Sequence, residues 1–309
     1  MTDIIQEIFD KIQYLETEQY KNMTVTAINI PDNNIDLMPL EIGLNMGLVE
    51  ITELDEQGIV GEVKVTNKAV TPLLLLDGEE IIGSKQNRII NSTIIIPPQS
   101  EKNIPVSCVE EGRWSYKSKK FNYSDHMATS RVRRNKQESV TQSLRAQNNY
   151  KSNQARVWDN IRDTINNLDI TSETNALHDT YKQRITTIEE YKKAFKTQDK
   201  QNGIIVYING QLAGLEIIYN KTRYNQYHEK IIESYIMDAI QTTEENNTNE
   251  ITQEQLIQKI IETPRENYNP IGLGNDYRLE DDEIIGSIIT YEEKLINASI
   301  FKKTEENII

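Results

Sequence analysis

The chain has 309 residues, with 34 basic and 48 acidic side chains and a formal net charge of −14. This length is enough for one large domain or two ordinary ones. The acidic balance argues against broad non-specific binding to nucleic acid or to membrane surfaces. One cysteine excludes an internal disulfide, and no apolar run approaches the roughly 20 residues of a membrane-spanning helix. We therefore expect a cytoplasmic protein with no membrane partner, and its oligomeric state stays open.

The first part of the chain predicts one helix followed by many short strands. Apolar residues share one face of a helix over residues 3–20. Short apolar runs then alternate with Gly and Pro, which is typical of antiparallel strands in a sandwich-like sheet. The predicted strands cover 24–30, 47–54, 59–67, 73–76, 88–96 and 103–109. Residues 115–135 are polar, basic and without periodicity, so they predict a long loop.

The second part of the chain predicts helices packed on a second antiparallel sheet. Apolar stripes indicate helices, Asn209-Gly210 predicts a tight hairpin turn, and Thr252 with Gln255 predicts a capping box at a helix start. The predicted helices fall within 136–200, over 222–240 and from 252 to 263; the strands cover 203–219 and 277–302, and a polar linker covers 241–250. The sequence thus predicts an α+β protein with a β-rich region over 1–134 and a mixed region over 135–309, with no flexible linker clearly dividing them.

Two polar clusters lie where predicted strands end, between Asp77 and Asn91 and between Glu110 and Trp114. Because the strands belong to one predicted sheet, we expect Glu79, Arg88, Glu110 and Arg113 to meet in space. The candidate catalytic residues are Glu79, Glu110 and Cys108. The candidate ligand-binding residues are Lys85, Gln86, Asn87, Arg88, Asn91, Arg113 and Trp114.

A phosphate-binding interpretation and a structural interpretation both account for these clusters. Arginine offers two parallel donors to phosphate oxygens, the amides can bond a ribose or a base, and Trp114, Tyr116 and Tyr123 can stack on an adenine. Alternatively, Arg88 pairs with Glu79 or Glu110 and joins two strands without any ligand.

Residues 113–136 carry eight basic side chains and one acidic one, which favours an anionic partner for this segment. We expect the segment to close over a phosphate-bearing ligand. The phosphate contacts expected in this segment, all at exposed positions, are Arg131, Arg133 and Arg134.

Metal and thiol chemistry are further options. Carboxylates beside a phosphate can hold Mg²⁺, but neighbouring strand residues point to opposite faces, so no metal site is assigned. Zinc is disfavoured because one cysteine and three histidines lack ligand spacing. A Cys108 nucleophile with His126 as its base would need a lowered thiol pKa, whereas strand parity places Cys108 in the core. His178 and His228 are expected at the surface.

The segment GEEIIGSKQNRIINSTIIIPPQSEKNIPVSCVEEGRW, residues 78–114, resembles the signature of the ADP-ribosylglycohydrolase- and rhodanese-phosphatase-associated protein domain, a prokaryotic family. The similarity continues through Gln154, Trp158, SETNAL at 172–177 and residues 272–301. By association, the family's name implies a role linked to ADP-ribose and phosphoryl groups. The resemblance also implies a histidine where this chain has Asn297, so a catalytic role at that position would be impaired here.

Two functions therefore stand side by side. The first is a cytoplasmic protein that binds and, if it is an enzyme, processes a small phosphate-bearing nucleotide metabolite of the ADP-ribose type. The second is a non-catalytic interaction or scaffold protein whose charged strand ends form a structural network. Nucleic acid is a weaker option that rests on the basic segment alone. The sequence assigns no cofactor, with Mg²⁺ as an open option.

Overall fold

The structure, a computed structural model, describes residues 3–55, 60–242 and 251–303. It divides into two compact units, each assembled from segments that are distant along the chain. The first unit combines Met1–Asn34, Glu189–Tyr268 and Asn275–Ile309. The second unit combines Ile35–Ile188 and Asn269–Gly274. The predicted boundary at residue 134 stays a prediction.

The protein is α+β, as predicted. The helices in the described ranges are α1 Ile4–Phe9, α2 Leu40–Asn45, α3 Ser130–Gln147, α4 Gln154–Asn167, α5 Leu177–Lys192, α6 Lys221–Ala239 and α7 Gln253–Glu262. The strands there are β1 Gln13–Tyr20, β2 Met23–Asn29, β3 Met38–Pro39, β4 Val49–Thr52, β5 Glu62–Asn67, β6 Leu73–Leu75, β7 Glu79–Gly83, β8 Arg88–Ile90, β9 Ile94–Ile96, β10 Ser100–Cys108, β11 Phe121–Met127, β12 Gly203–Ile208, β13 Gln211–Ile218, β14 Arg265–Tyr268, β15 Asn275–Glu280, β16 Ile284–Tyr291 and β17 Lys294–Lys302.

The first unit is built on an antiparallel sheet of eight strands in the order β1-β2-β12-β13-β17-β16-β15-β14. Successive side chains of a strand face opposite sides, so a central strand can be apolar on both faces. Ile205 and Ile217 share one core with α1 and α7. From α6, the Tyr235 ring lies 6.4 Å from Phe301 of β17, and its hydroxyl donates to Glu216 of β13. Helices therefore cover this sheet, as predicted.

Two sequence signals of the first unit are confirmed. Asn209 and Gly210 have φ angles of +50° and +74°, as a type I′ turn requires, and they join β12 to β13. Thr252 and Gln255 form the predicted capping box at the start of α7. The predicted polar linker falls mainly on 243–250, which lie outside the described residues, as does the start of the strand predicted over 59–67.

The second unit contains an antiparallel sheet of six strands, β11-β7-β8-β10-β5-β4, and a smaller sheet of three, β3-β6-β9. Alternate residues of β5 and β10, such as Val63 and Ile104, share one core with Leu73 and Ile94 of the smaller sheet. This arrangement places β7, β8 and the end of β10 side by side, and these elements carry both polar clusters.

Three predicted elements are wrong. The helix over 3–20 ends at Phe9, and Gln13–Tyr20 form the edge strand β1 instead. The strand predicted over 88–96 is two strands, β8 and β9, which belong to different sheets. The loop over 115–135 contains strand β11 and the first residues of α3, where the Thr129 hydroxyl caps the helix by accepting from the Val132 amide.

Candidate functional site

The turn between β7 and β8 lies against the segment that follows β10. Gly83 and Ser84 adopt φ angles of +112° and +41° and reverse the chain after β7. The Val109 amide then donates to the Asn87 carbonyl at 3.0 Å. The residues of KQNR and CVEEGRW therefore lie together in space, although they are separated in the sequence.

Arg113 ties this turn to the end of β10. Its Nη2 donates to Glu110 Oε2 at 2.5 Å and to Asn87 Oδ1 at 3.2 Å, and its Nη1 donates to the carbonyls of Ser84 and Ser115, both at 2.8 Å. We call these contacts the Arg113 clamp. Although burial alone raises the pKa of Glu110, the hydrogen bond and charge of Arg113 lower it below its ordinary value.

Arg88 is completely buried and pairs with a residue that sequence reasoning missed. Its Nη1 donates to Gln86 Oε1 at 2.8 Å and also contacts Cys108 Sγ, and its Nη2 lies 3.8 Å from Glu53 Oε1. Its guanidinium lies 5.4 Å from the Trp114 ring centroid. The predicted pairing of Arg88 with Glu79 or Glu110 is therefore replaced by a pairing with Glu53. Apart from a carboxylate that follows β4, nothing in the sequence pattern indicates this pairing.

The amide candidates are engaged inside the protein. Gln86 Nε2 donates to the Glu110 carbonyl at 2.8 Å, and the Asn87 amide donates to Glu110 Oε2 at 3.2 Å. Asn91 Nδ2 donates to the Tyr150 carbonyl at 3.1 Å, and Asn91 Oδ1 accepts from the Ser107 hydroxyl at 2.6 Å. These bonds position backbone segments rather than presenting the amides to solvent.

Glu79 has a different role from the other expected members of the cluster. Its Oε2 accepts from the Leu76 amide at 2.7 Å, which closes the turn before β7. Arg88, Glu110 and Arg113 come together through Gln86 and Asn87, as the contacts above describe.

The basic residues of α3 do not form an exposed set. Arg133 is 2% exposed, and its Nε lies 3.8 Å from Asp77, which also contacts the buried Lys136. Arg131 Nη2 lies 2.5 Å from Asp163. The expectation of exposed loop arginines is wrong for Arg133, because residues 130–136 are helical and one side of α3 is buried.

Cys108 is fully buried, as strand parity predicted. Burial raises the pKa of its thiol to about 11, against the opposing charge of Arg88. The His126 ring stacks on Tyr181, with 4.4 Å between centroids. The thiol is therefore protonated at neutral pH, the opposite of what a cysteine nucleophile needs.

Two expectations about other residues are corrected or refined. His228 is buried, not at the surface, and its Nε2 bonds the Phe195 carbonyl at 2.8 Å. Asn297 is buried within β17, where its Nδ2 donates to the Ile217 carbonyl at 3.0 Å. Asn297 thus stabilises the pairing of β17 with β13.

The open part of the site lies beside these buried contacts. Trp114 and Tyr116 are 44% and 50% exposed. Lys85 is buried beside these rings, and its Nζ lies 5.4 Å from the Trp114 centroid and 4.9 Å from the Tyr116 centroid. An adjoining cleft of about 690 Å³, which with Trp114 and Lys85 we call the aromatic cleft, is lined by Thr52, Glu53, Asp55, Tyr116 and Lys119. Glu53 Oε2 is buried and has no hydrogen-bond partner among the described residues.

Within 3–55, 60–242 and 251–303, no group of three or more His, Cys, Asp or Glu side chains is arranged to hold a metal ion. No helix of those ranges has the length and apolar character to cross a membrane.

The fold and site define an α+β protein in which a buried charged network supports a partly exposed pair of aromatic rings. The sequence matches the model of the ARPP-1 family, the ARG and Rhodanese-Phosphatase-superfamily-associated Protein domain, over residues 11–301. The chain therefore belongs to this family. No curated protein and no solved structure gave a significant match. The family's name links it to ADP-ribosylglycohydrolase and rhodanese-phosphatase proteins.

Proposed function

We propose that the aromatic cleft binds a small phosphate-bearing nucleotide metabolite of the ADP-ribose type. The observation that carries this proposal is the pair of half-exposed rings, Trp114 and Tyr116, that flank the Lys85 ammonium. Exposed aromatic faces are stacking surfaces for a purine base, worth about 1–3 kcal/mol per base. The association recorded in the family's name supports the same class of ligand.

Cations for the phosphates are available beside the rings. Lys119 lines the cleft and is exposed, whereas Lys85 is buried with its ammonium near both aromatic rings. The side chain of Lys117 is 64% exposed and lies 3.6 Å from Glu110. An ammonium group contacts phosphate as a point charge, so these lysines tolerate several phosphate positions. This tolerance suits a flexible pyrophosphate better than one fixed anion.

The acidic lining of the cleft provides acceptors for a sugar. Glu53 Oε2 is a buried acceptor without a donor among the described residues, and Asp55 lines the same cleft. An unsatisfied buried carboxylate oxygen is costly, and a ribose hydroxyl would satisfy it. Carboxylates repel phosphate, so the ribose, not the pyrophosphate, belongs near Glu53.

The Arg113 clamp would act as a positioning device in this site. Arg113 donates to the Ser115 carbonyl, between the two exposed rings, while it also bonds Glu110. Rigid rings lose less conformational entropy when a ligand binds than mobile ones. KQNR and CVEEGRW would therefore hold the aromatic surface in place instead of contacting most of the ligand.

Ligand-dependent melting tests the proposal. ADP-ribose should raise the melting temperature more than ribose 5-phosphate or inorganic phosphate, because a ligand that binds only the folded state stabilises it by mass action. Trp114→Ala should raise the Kd for ADP-ribose about tenfold or more, and Lys119→Gln should raise it less. Lys102→Gln, an exposed lysine of β10 outside the cleft, is the matched control and should bind as wild type does.

A non-catalytic scaffold is the second candidate function. The internal engagement of Gln86, Asn87, Asn91 and Arg113 favours it, since these side chains build a rigid frame without any ligand. A melting temperature that none of ADP-ribose, ADP or NAD changes would support the scaffold and reject the nucleotide site.

A further inference from the structure

A second cleft lies in the first unit and shares no residue with the aromatic cleft. Residues 189–197, at the end of α5 and just beyond it, form one part of its lining, and residues 225–232 of α6 form the other. Its volume is about 480 Å³, which is in the range of small-molecule sites. We call it the α5–α6 cleft.

The buried part of this lining carries no charge. Phe195, His228 and Ile232 line the cleft and are buried. His228 Nε2 donates to the Phe195 carbonyl at 2.8 Å, so its Nδ1 accepts from the Tyr224 hydroxyl, 3.0 Å away. Burial lowers the pKa of His228, so the imidazole is neutral at neutral pH. With both ring nitrogens engaged, this surface suits an apolar group.

Lys192 holds three carboxylates together beside that surface. Its Nζ lies 2.9 Å from Glu189, 2.8 Å from Glu229 and 2.9 Å from Glu233. Although burial alone lowers the pKa of Lys192, hydrogen bonds to the three carboxylates raise it above its ordinary value. Glu189 and Glu229 line the cleft with side chains that are 49% and 73% exposed. Their oxygens can therefore also accept from the ammonium group of a ligand.

Exposed donors complete the rim of the α5–α6 cleft. Lys193 and Lys196 line it and are exposed. Thr197 and Asn225, also exposed, add a hydroxyl and an amide. Ammonium and amide groups bind carboxylate oxygens, and the bonds that involve two charged groups are the stronger ones. The rim therefore offers partners for a carboxylate as well as for an ammonium group.

The charges around the cleft cancel. Three lysines line it, and the carboxylates are the two glutamates of the lining together with Glu233 behind Lys192. A lining without net charge gives little long-range attraction to an anion or a cation. A ligand that carries both charges can pair with each set of partners at short range.

We propose that the α5–α6 cleft binds a free α-amino acid with an apolar side chain. Lys193 and Lys196 bind the α-carboxylate, Glu229 binds the α-ammonium group, and the side chain packs on Phe195 and Ile232. Burying that side chain adds apolar contact, while each charged group of the ligand replaces its water by a charged partner. This proposal does not rest on the nucleotide site proposed above.

Calorimetric titration of the full chain with matched probes tests the proposal. The probes are L-leucine and L-phenylalanine, each with the analogue that lacks only the amino group and the analogue that lacks only the carboxylate. At least one of the two amino acids should bind saturably, with one site per chain. Its two analogues should bind at least about tenfold more weakly, because each leaves one set of charged partners unused. No binding of either amino acid, or analogues that bind as tightly, would overturn the proposal.

Variants at exposed positions locate the binding. Glu229→Gln and the double variant Lys193→Gln, Lys196→Gln should each raise the Kd for the bound amino acid about tenfold or more. Lys11→Gln, at an exposed lysine of the same unit outside the cleft, is the matched control and should leave the Kd as in wild type. Trp114→Ala should also leave it unchanged, which separates this site from the aromatic cleft. An unchanged Kd in either charge variant would overturn the proposal.

Discussion

Arg88 places a positive charge in the interior of the second unit, where polar and aromatic side chains contact its guanidinium. The guanidinium contacts Glu53, Gln86, Cys108 and the Trp114 ring. Removing one partner of a buried ion pair costs about 3–5 kcal/mol, because the remaining charge stays desolvated. These contacts therefore join four segments of the chain at one point, close to the partly exposed Trp114 ring.

Cys108 should react slowly with thiol reagents in the native protein. Its side chain is buried, and the pKa of the thiol is raised to about 11, so little thiolate is present and access is blocked. Labelling with a chromogenic disulfide reagent, in the native state and in denaturant, measures this directly. Native labelling as fast as that of the unfolded chain would show that Cys108 is accessible and would restore the nucleophile hypothesis.

Glu110 should stabilise the fold at neutral pH and lose that contribution in acid. Its pKa is lowered in the folded state, so the stabilisation is complete above the ordinary pKa of a glutamate and disappears as the pH falls through the lowered value. Glu110→Gln should reduce the free energy of unfolding at neutral pH and flatten its dependence on pH in this acidic range. Denaturant titrations at several pH values measure both effects.

The exposed Glu173 supplies the control for this experiment. Glu173→Gln should leave the pH dependence of unfolding as it is in wild type. Equal pH dependence in the Glu110→Gln and wild-type proteins would mean that the Arg113 clamp contributes nothing through charge.

The burial of a residue could be predicted from the sequence where a local strand pattern determines it. Interaction partners that depend on tertiary packing could not be predicted. Parity with Ile104 and Val106 placed Cys108 inside correctly. The pairing of Arg88 with Glu53 depends on the packing of the segment after β4 against the β7–β8 turn. The local sequence of neither segment specifies that packing. The burial of His228 likewise depends on which face of α6 packs against its neighbours.

At the scale of elements, the turns with strong chemical signals were predictable and the weakly patterned segments were not. Asn209-Gly210 and the Thr252 capping box specify their local geometry. By contrast, β1 is an edge strand with a mostly exposed, polar sequence, so its apolar residues follow neither the helical nor the strand periodicity clearly. Strand β11 contains Asn122, Ser124 and Asp125, which made it resemble a loop; pairing with β7 makes it a strand.

The segment 269–274 should be sensitive to any added side chain at Gly272. A Cβ at Gly272 would overlap the Ile95 carbonyl oxygen, which also accepts from the Leu273 amide at 2.9 Å. Gly272→Ala should therefore destabilise the protein by about 1–3 kcal/mol or more. Thermal or denaturant unfolding measures the change.

Gly47→Ala is the comparison for this prediction. Gly47 has a φ of +68° and open space around its Cβ position. Alanine there should lower the free energy of unfolding only through the left-handed backbone conformation, by about 1–2 kcal/mol. A Gly272→Ala protein as stable as wild type would show that the contact with β9 is looser than the structure describes.

At the scale of the whole molecule, the protein consists of two α+β units. Each unit is made of segments that are distant from one another along the chain. The α+β class followed from strand and helix periodicities, and the family followed from the motif blocks, which the match over 11–301 confirms. The assembly of each unit could not be read from the sequence, because no linker composition marks the points where the chain leaves one unit and enters the other. The candidate site lies within the second unit alone.

Trp114 is proposed to form part of a nucleotide site, and fluorescence titration tests this role most directly. The chain has two tryptophans, so Trp158→Phe leaves Trp114 as the single reporter. Adding ADP-ribose to this variant should quench the emission saturably, because a stacked adenine shields the ring, and Lys119→Gln in the same background should weaken the apparent affinity. Emission that does not change at any ADP-ribose concentration, in a variant that melts as wild type does, would contradict the claim.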